Sequence, residues 1–287
     1  MNAQRIAIIT DSGTDTDPAF CREHDIRVMP LHINYSDGSS FSSGVDISSA
    51  EVVRRFADEI PKTSLPSPHE IETTLRKAKA DGYERAVVVT IASALSATNH
   101  TVQMVADQLE DFPVLVIDTK SIGMMAGMVV RRATALVEEG VPFAELDGRL
   151  QGVIEDTDVF FAVKSLDYLH EGGRINAAIY RLGSILNIKP VLTCNREGYY
   201  TMAKKARGWE RALEAMVRLV AERANRFERV RLAVCFTQAT ARLRDVLEER
   251  VRAQVKADVV EFLSQELQPD LMVHTGPDLV GMGVQGA

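Results

Sequence analysis

The segment Ile6-Ala7-Ile8-Ile9-Thr10 is a run of mostly aliphatic residues that ends in the polar stretch Asp11-Ser12-Gly13-Thr14-Asp15. A short apolar run bounded by turn-forming residues is typical of a strand that is buried on both faces. Similar runs follow at Val28–Ile33, Ala86–Ile91 and Val114–Asp118. Helical patterns separate most of these runs, and strands that alternate with helices predict a mostly parallel sheet. The first half of the chain is therefore predicted to be an α/β domain with flanking helices.

The second half of the chain shows a different order of elements. Two strands, Lys189–Thr193 and Tyr199–Lys204, are joined by a turn at Asn195–Gly198, which predicts a hairpin. The chain closes on a glycine-rich tail that carries no predicted strand. Hairpins mixed with helices predict an α+β domain, and 287 residues exceed what one core usually holds. We therefore expect two domains, residues 1–158 and residues 159–287.

The composition narrows the compartment and the class of partner. The net charge of −7 gives little general attraction to nucleic acid. Cys21, Cys194 and Cys235 are too widely spaced for a disulfide framework or a zinc motif, which favours a reducing compartment. Neither a signal peptide nor an apolar run long enough to span a membrane is visible in the sequence. We expect a cytoplasmic protein.

Small hydroxyl-bearing residues gather where the predicted parallel strands end. Ser93-Ala94-Leu95-Ser96-Ala97-Thr98 follows the third strand, and Lys62-Thr63-Ser64-Leu65-Pro66-Ser67 precedes it. Ligands of open parallel sheets bind beyond the carboxyl ends of the strands. A helix that begins near Ser96 would add unpaired N–H groups and a partial positive charge, which favour an anion. Simple helix capping is the alternative for each loop.

Phosphate-binding glycine motifs are missing from the sequence. No GxxxxGK[ST] pattern occurs, and no GxGxxG follows the first strand. Gly281-Met282-Gly283 opens no predicted helix. A nucleotide is therefore disfavoured as the anion.

Seven short segments occur in an order that resembles one known family. They are Thr10-Asp11-Ser12, Thr63-Ser64-Leu65-Pro66-Ser67, Ser93-Ala94-Leu95-Ser96-Ala97-Thr98, Val116-Ile117-Asp118, Leu169-His170-Glu171-Gly172-Gly173-Arg174-Ile175, Lys205-Ala206-Arg207 and His274-Thr275-Gly276-Pro277. Together they span nearly the whole chain, which resembles the DegV family of bacterial fatty-acid-binding proteins. Members of its FakB branch present a bound fatty acid to a fatty acid kinase, which makes acyl phosphate for phospholipid metabolism.

The resemblance implies a lipid-binding acyl carrier rather than an enzyme. One long-chain fatty acid, such as palmitate or oleate, would lie in a buried tunnel between the two domains, without a cofactor or a metal ion. The implied partners are a fatty acid kinase subunit and, transiently, a membrane surface, whereas nucleic acid is not expected.

The same resemblance assigns roles to individual side chains. The hydroxyls of Thr63 and Ser96 would hydrogen-bond the fatty-acid carboxylate. The other implied carboxylate-site residues are Ser64, Ser93, Thr98 and His274. The implied residues of the tunnel mouth, where the head group or the kinase engages, are Arg174 and Arg207. The chain departs from the usual family pattern at three positions, with Leu65 in place of Gln and with Ala97 and Asp278 each in place of Gly.

An acyl chain also needs apolar walls. Methionine suits this role because its flexible side chain adapts to chains of different shape. The candidate lining residues are Met124, Met128, Leu182, Ile185, Leu186 and Ile188, with Met104 and Met125 as further candidates. Ordinary core packing remains the alternative for each of them.

Two enzymatic alternatives stay open at the level of the sequence. A serine hydrolase or acyltransferase would use Ser96 as its nucleophile, but the G-x-S-x-G motif is absent, His100 is only four residues away and His274 is remote. A small-molecule kinase would use Asp11 and Asp118 to hold Mg²⁺, but no phosphate loop accompanies them.

Overall fold

The strands of the structure form three sheets, and their bounds are taken from a computed structural model that describes residues 2–184 and 188–287. In chain order they are β1 (Ile6–Asp11), β2 (Arg27–Met29), β3 (His32–Asn34), β4 (Ser40–Ser42), β5 (Lys62–Ser64), β6 (Arg85–Thr90), β7 (Val114–Asp118), β8 (Thr157–Ala162), β9 (Ile188–Cys194), β10 (Tyr200–Arg207), β11 (Arg229–Phe236), β12 (Asp258–Glu266) and β13 (Val280–Gly286).

Eleven α-helices and two short 3₁₀ turns, Ser12–Thr14 and Gln238–Leu243, complete the described part of the chain. The α-helices are α1 (Pro18–Glu23), α2 (Ser49–Arg55), α3 (Pro68–Ala80), α4 (Thr98–Ala106), α5 (Gly123–Glu138), α6 (Phe143–Glu155), α7 (Asp167–Glu171), α8 (Ala177–Ser184), α9 (Trp209–Ala224), α10 (Arg244–Arg252) and α11 (Pro269–Thr275). None of the helices in the described ranges has the length and apolarity that a bilayer crossing requires.

The first sheet has the order β2-β1-β6-β7 and is parallel throughout. Every residue of β1 is buried, because Ile6 and Ile8 pack against α5 and α6 while Ala7 and Ile9 pack against α3 and α4. Helices on both faces explain why the first four residues of this strand form an unbroken apolar run rather than an alternating pattern. The predicted parallel α/β architecture is confirmed.

The predicted strand Val28–Ile33 is in fact two strands in two different sheets. Arg27–Met29 pairs with β1, whereas His32–Asn34 pairs with β4 and β5 in a separate antiparallel sheet. Pro30 lies between them, and a proline lacks the N–H group that a continuing strand would need. The small sheet pairs Ile33 with Thr63, so it positions a predicted site residue.

The third sheet lies entirely in the second half of the chain, with the order β10-β9-β8-β13-β11-β12. Only β11 and β12 run parallel to each other, and the remaining pairs are antiparallel. The predicted mixed second unit is therefore confirmed. The predicted boundary at residue 158 falls inside β8, one residue after this strand begins.

The glycine-rich tail, for which no strand was predicted, is the inner strand β13 of the mixed sheet. Glycine is favoured there because neighbouring elements pack closely on the strand. A Cβ at Gly283 would lie 2.8 Å from the carbonyl oxygen of Asp158 and 2.1 Å from the Sδ atom of Met125, and one at Gly281 would lie 2.6 Å from the Sγ atom of Cys235. The glycines at these positions thus serve packing, although a glycine-rich sequence is more typical of a loop.

Helix α5 joins the two larger sheets. Twelve of its 16 residues are buried, which is typical of a helix enclosed on all sides. It contacts β1 and β6 of the parallel sheet and β8, β11 and β13 of the mixed sheet. Helix α11 returns from the second half of the chain and packs on α2, β3, β5 and α7. The space between the two halves is therefore walled by elements from both.

Candidate functional site

A polar cavity of about 420 Å³ lies beyond the carboxyl end of β6. Open parallel sheets bind their ligands at this edge. Its wall combines the loops after β5 and β6 with α11, the segment before α8 and the first residue of β10. The polar residues that line it are Thr63, Ser64, Ser93, Ser96, Arg174, Tyr200, Asp270, His274 and Thr275.

Thr63 and His274 form the central contact of this wall. The Oγ1 atom of Thr63 on β5 lies 2.7 Å from the Nε2 atom of His274 on α11. Burial lowers the pKa of His274 to about 3, and the nearby Arg174 guanidinium acts in the same direction. The imidazole is therefore neutral at physiological pH and carries a single proton.

The surroundings of His274 favour one position for that proton. Its Nδ1 atom is buried and has no hydrogen-bond partner among the described residues. A proton on Nδ1 would bury an unsatisfied donor, whereas a proton on Nε2 is donated to Thr63. In the second arrangement Thr63 accepts from His274 and keeps its own O–H free to donate into the cavity. The imidazole thus orients the threonine hydroxyl.

Ser96 occupies the cavity wall just before helix α4. Its Oγ atom lies 2.8 Å from the Oγ1 atom of Thr98 and accepts the Thr98 amide at 3.3 Å. The residue that precedes the helix, Ala97, provides no side-chain cap. The first turn of α4 therefore adds the partial positive charge of a helix N-terminus beside Ser96. Thr98 is buried and does not line the cavity, so its hydroxyl serves to hold the Ser96 hydroxyl in place.

Ser64 and Ser93 lie at the exposed rim of the cavity. The Ser64 hydroxyl accepts a hydrogen bond from the Asn34 side chain at 3.1 Å. The Ser93 amide donates to Asp118 at 3.1 Å, which holds the loop after β6 in place. Both residues therefore shape the opening of the cavity.

Arg174 contributes the positive charge of the cavity wall. Its guanidinium donates to the carbonyl oxygens of Leu95, at 3.3 Å, and Gly172. It forms no ion pair with a carboxylate of the described residues. Burial lowers the pKa of the guanidinium, which reflects incomplete compensation of its charge. An anion in the cavity would supply that compensation.

Arg207 and Ile188, by contrast, lie away from both cavities. They are paired with each other at the open end of the β9–β10 hairpin, while Tyr200 and Cys194 are paired next to its turn. It is the turn end that faces the polar cavity. Arg207 is seven residues from Tyr200, or roughly 23 Å along an extended strand. The hairpin register, which is not visible in the sequence, therefore places Arg207 apart from the other predicted site residues.

A narrow apolar cavity of about 30 Å³ adjoins the polar one and shares four wall residues with it. The shared residues are Ile122, Tyr200, Leu271 and Thr275. The other lining residues are Gly123, Met124, Met125, Val159, Phe161, Ala233, Cys235, Leu267, Leu279, Met282 and Gly283. We call this cavity the apolar slot. A chain attached to a head group in the polar cavity would pass directly into it.

The candidate lining residues divide into three groups. Met124 and Met125 do line the slot. Met128 does not, because it is one helical turn, about 6 Å, further along α5 and faces another cavity beside Phe20 and Arg131. Met104 is 52% exposed on α4 and lines no part of the slot. The candidates Leu182, Ile185 and Leu186 lie outside the part of the chain whose side chains the structure describes.

Sequence reasoning missed three polar residues of the cavity wall, Asp270, Tyr200 and Thr275. Asp270 is buried near the start of α11 and accepts hydrogen bonds from Ser43 at 2.6 Å and Ser12 at 3.1 Å. The signal that reveals α11 is Pro269, since proline is favoured at the first position of a helix. Tyr200 carries no such signal, because only the docking of its hairpin brings it to the cavity.

The residues named for the two enzymatic alternatives have other partners in the structure. The Nε2 atom of His274 is bonded to Thr63, and the hydroxyl of Ser96 is bonded to Thr98, so Ser96 lacks a base within the described residues. Asp118 is paired with Lys120 at 2.6 Å. Among the described residues no group of three or more His, Cys, Asp or Glu side chains is arranged to hold a metal ion.

The sequence matches the family described as "Uncharacterised protein, DegV family" over residues 5–286. A DegV domain-containing protein of Clostridium acetobutylicum is 32% identical over 279 residues, which cover 97% of this chain and 98% of that protein. The solved structure of a fatty-acid-binding DegV family protein from Thermus thermophilus superposes with a TM-score of 0.90 at 30% identity, covering 99% of this chain and 100% of that one.

A second solved structure, a fatty acid binding DegV family protein from Streptococcus agalactiae, has a TM-score of 0.89 at 26% identity and covers 99% of this chain and 100% of that one. The family match spans nearly all of the chain, and these folds agree along their full lengths. The chain belongs to the DegV family.

Proposed function

We propose that this protein binds one long-chain fatty acid, with its carboxylate in the polar cavity and its hydrocarbon chain in the apolar slot. The observation that carries the proposal is the shared wall of the two cavities, with the Thr63–His274 contact on the polar side. The relatives from Thermus thermophilus and Streptococcus agalactiae, which are described as fatty-acid-binding, support the same ligand class.

The carboxylate would be held mainly by neutral donors. Burying an ionised carboxylate without partners costs many kcal/mol, so several hydrogen bonds are needed to offset it. Thr63 can donate a hydrogen bond to the carboxylate because its oxygen already accepts one from His274. Ser96 lies beside the N-terminus of α4. Arg174 adds a positive charge that no carboxylate of the described residues neutralises.

The hydrocarbon chain supplies most of the favourable free energy of binding. Transfer of roughly 15 carbons from water is worth about 12 kcal/mol before ordering costs are subtracted. The slot is narrow, so its lining side chains must move to admit the chain. Met124 and Met125 can do this at low cost because an unbranched thioether changes rotamer readily.

The protein is further proposed to be a carrier that presents its fatty acid to a kinase rather than an enzyme in its own right. The resemblance to the FakB branch supports this role. Ser64 and Ser93 at the rim are exposed, so a head group held by Thr63 and Ser96 would lie close to the surface.

Lipid analysis tests the binding proposal directly. Denaturing extraction of the purified protein, followed by mass spectrometry, is expected to release about one equivalent of fatty acid. Delipidated protein is expected to show a higher melting temperature when oleate is added, because a ligand that binds only the folded state stabilises it. Absence of lipid together with an unchanged melting temperature would refute the proposal.

A further inference from the structure

Tyr200 stands at the junction of the polar cavity and the apolar slot. It is the first residue of β10, directly after the turn of the β9–β10 hairpin. That turn packs tightly on the loops at the end of the parallel sheet, since a Cβ at Gly198 would lie 2.8 Å from the Cβ atom of Ala92. The docked turn fixes the tyrosine between the two cavities.

The ring and the hydroxyl of Tyr200 have different surroundings. The ring packs edge-on against Phe161, with 5.0 Å between the centroids, and the residue is only 8% exposed. The hydroxyl makes no hydrogen bond within the described ranges, yet it is not sealed inside the protein. Tyr200 lines both cavities, so its accessible hydroxyl is expected to face their common space.

The electrostatic environment keeps this hydroxyl a donor. Burial raises the pKa of Tyr200 well above its ordinary value, although the Arg174 guanidinium pulls it the other way. The phenol therefore holds its proton at physiological pH. Since the hydroxyl has no protein partner among the described residues, it remains free to donate to an anionic oxygen in the cavity.

We propose that the Tyr200 hydroxyl is a further head-group donor, which binds a carboxylate oxygen of the ligand from the side of the slot. Thr63 and Ser96 approach the head group from the strand ends, whereas Tyr200 approaches it from the hairpin. This assignment rests on the proposed binding of fatty acids. It gives Tyr200 a second role, because its ring forms the wall along which the first carbons of the chain pass.

Tyr200→Phe tests the assignment because it removes one oxygen and keeps the ring that packs on Phe161. Delipidated protein is titrated with palmitate and with 1-hexadecanol, which has the same chain length but a neutral head group. The variant is expected to bind palmitate about tenfold more weakly, as expected for the loss of a hydrogen bond to a charged group. The loss for hexadecanol is expected to be clearly smaller.

A matched control is available in Tyr35→Phe. The Tyr35 hydroxyl is also buried and lacks a partner among the described residues, but this residue lines neither cavity. Tyr35→Phe is expected to leave both affinities unchanged, and neither variant is expected to melt at a lower temperature than the delipidated wild type.

Three outcomes separate the possible failures. Equal losses for palmitate and hexadecanol in Tyr200→Phe would assign the hydroxyl a packing role and overturn the proposal. Unchanged palmitate affinity would overturn it as well, while leaving fatty-acid binding intact. A wild-type protein that binds neither ligand would instead refute the proposed function on which the assignment rests.

Discussion

The Nε2 atom of His274 lies 2.7 Å from the Oγ1 atom of Thr63, although 211 residues separate them in the sequence. This contact joins α11, which comes from the second half of the chain, to β5 in the small sheet of the first half. The polar cavity is therefore complete only when both halves have folded onto each other. It also follows that the donor role of Thr63 depends on the position of His274.

The double variant Thr63→Val with Ser96→Ala removes both hydroxyl donors with little change in side-chain shape. The ligand carboxylate would then be buried without its main partners, so palmitate affinity is expected to fall at least tenfold. Lipid content after purification and titration of delipidated protein measure the loss. Thr74→Val on α3, far from the cavity, serves as the control. Unchanged lipid occupancy in the double variant would contradict the assignment of these two residues.

Gly172→Ala is expected to displace His274 without straining the backbone. Gly172 has a φ of −72°, which alanine adopts readily, but a Cβ there would lie 2.3 Å from the Nδ1 atom of His274. The imidazole must shift and lose its contact with Thr63, which should weaken palmitate binding several-fold. The matched control is Gly148→Ala, where the added Cβ meets no atom within 4 Å. Equal affinities for the two variants would show that His274 does not orient Thr63.

The parts of the fold that were predicted correctly are those with a strong local pattern. The runs of β1 and β6 are mostly apolar because helices cover both faces of the parallel sheet. The strand β13 was missed because no local sequence pattern indicates it. Its glycines accommodate the close approach of Asp158, Met125 and Cys235 from distant segments, and no local pattern indicates such an approach.

The residues of the candidate site also divide into those that the sequence predicts and those that depend on tertiary structure. Thr63 and Ser96 belong to loops at strand ends, so their place in a parallel sheet follows from the order of elements. Tyr200 and Arg207 belong to one strand, and only its pairing with β9 decides which of them faces the cavity. That choice depends on register and on the docking of the turn, both of which are tertiary features.

Arg174→Gln tests the charge of the cavity wall, because glutamine keeps a donor for the backbone carbonyls but removes the cation. Palmitate affinity is expected to fall by up to about tenfold, and its sensitivity to salt should diminish. The pKa of His274 should rise, since Arg174 lowers it in the wild type, yet stay below its ordinary value because burial is the larger cause. Titration of the His274 ring by NMR measures this change.

Arg207→Gln is the matched control for the charge of Arg174. The residue is exposed at the open end of the hairpin, away from both cavities. Its removal is expected to change neither the palmitate affinity nor the His274 titration. An effect of Arg207→Gln equal to that of Arg174→Gln would mean that only the overall charge of the protein matters.

Asp11→Asn is expected to change how stability depends on pH. Asp11 is fully buried, and one of its oxygens has no partner among the described residues. Burial raises its pKa to about 7, and nearby Asp270 adds to the increase. The unfolded carboxyl releases its proton near its ordinary pKa of 3.8, so between about pH 4 and 7 the folded state binds more protons than the unfolded state. The contribution of the Asp11 carboxyl to the free energy of unfolding is therefore complete below pH 4 and is lost as the pH rises through 7.

An asparagine at position 11 mimics the protonated carboxyl at every pH and still accepts the amide of Ile91, which Asp11 binds at 3.0 Å. The variant should therefore gain stability over the wild type as the pH increases, and the gain should level off above pH 7. Urea unfolding of both proteins at pH 5, 6, 7 and 8 measures the difference between their free energies of unfolding. Comparing the two proteins cancels the opposite trend of His274, whose lowered pKa removes stability as the pH falls below about 6.5. A gap that does not vary with pH would show that the Asp11 carboxyl is ionised throughout this range.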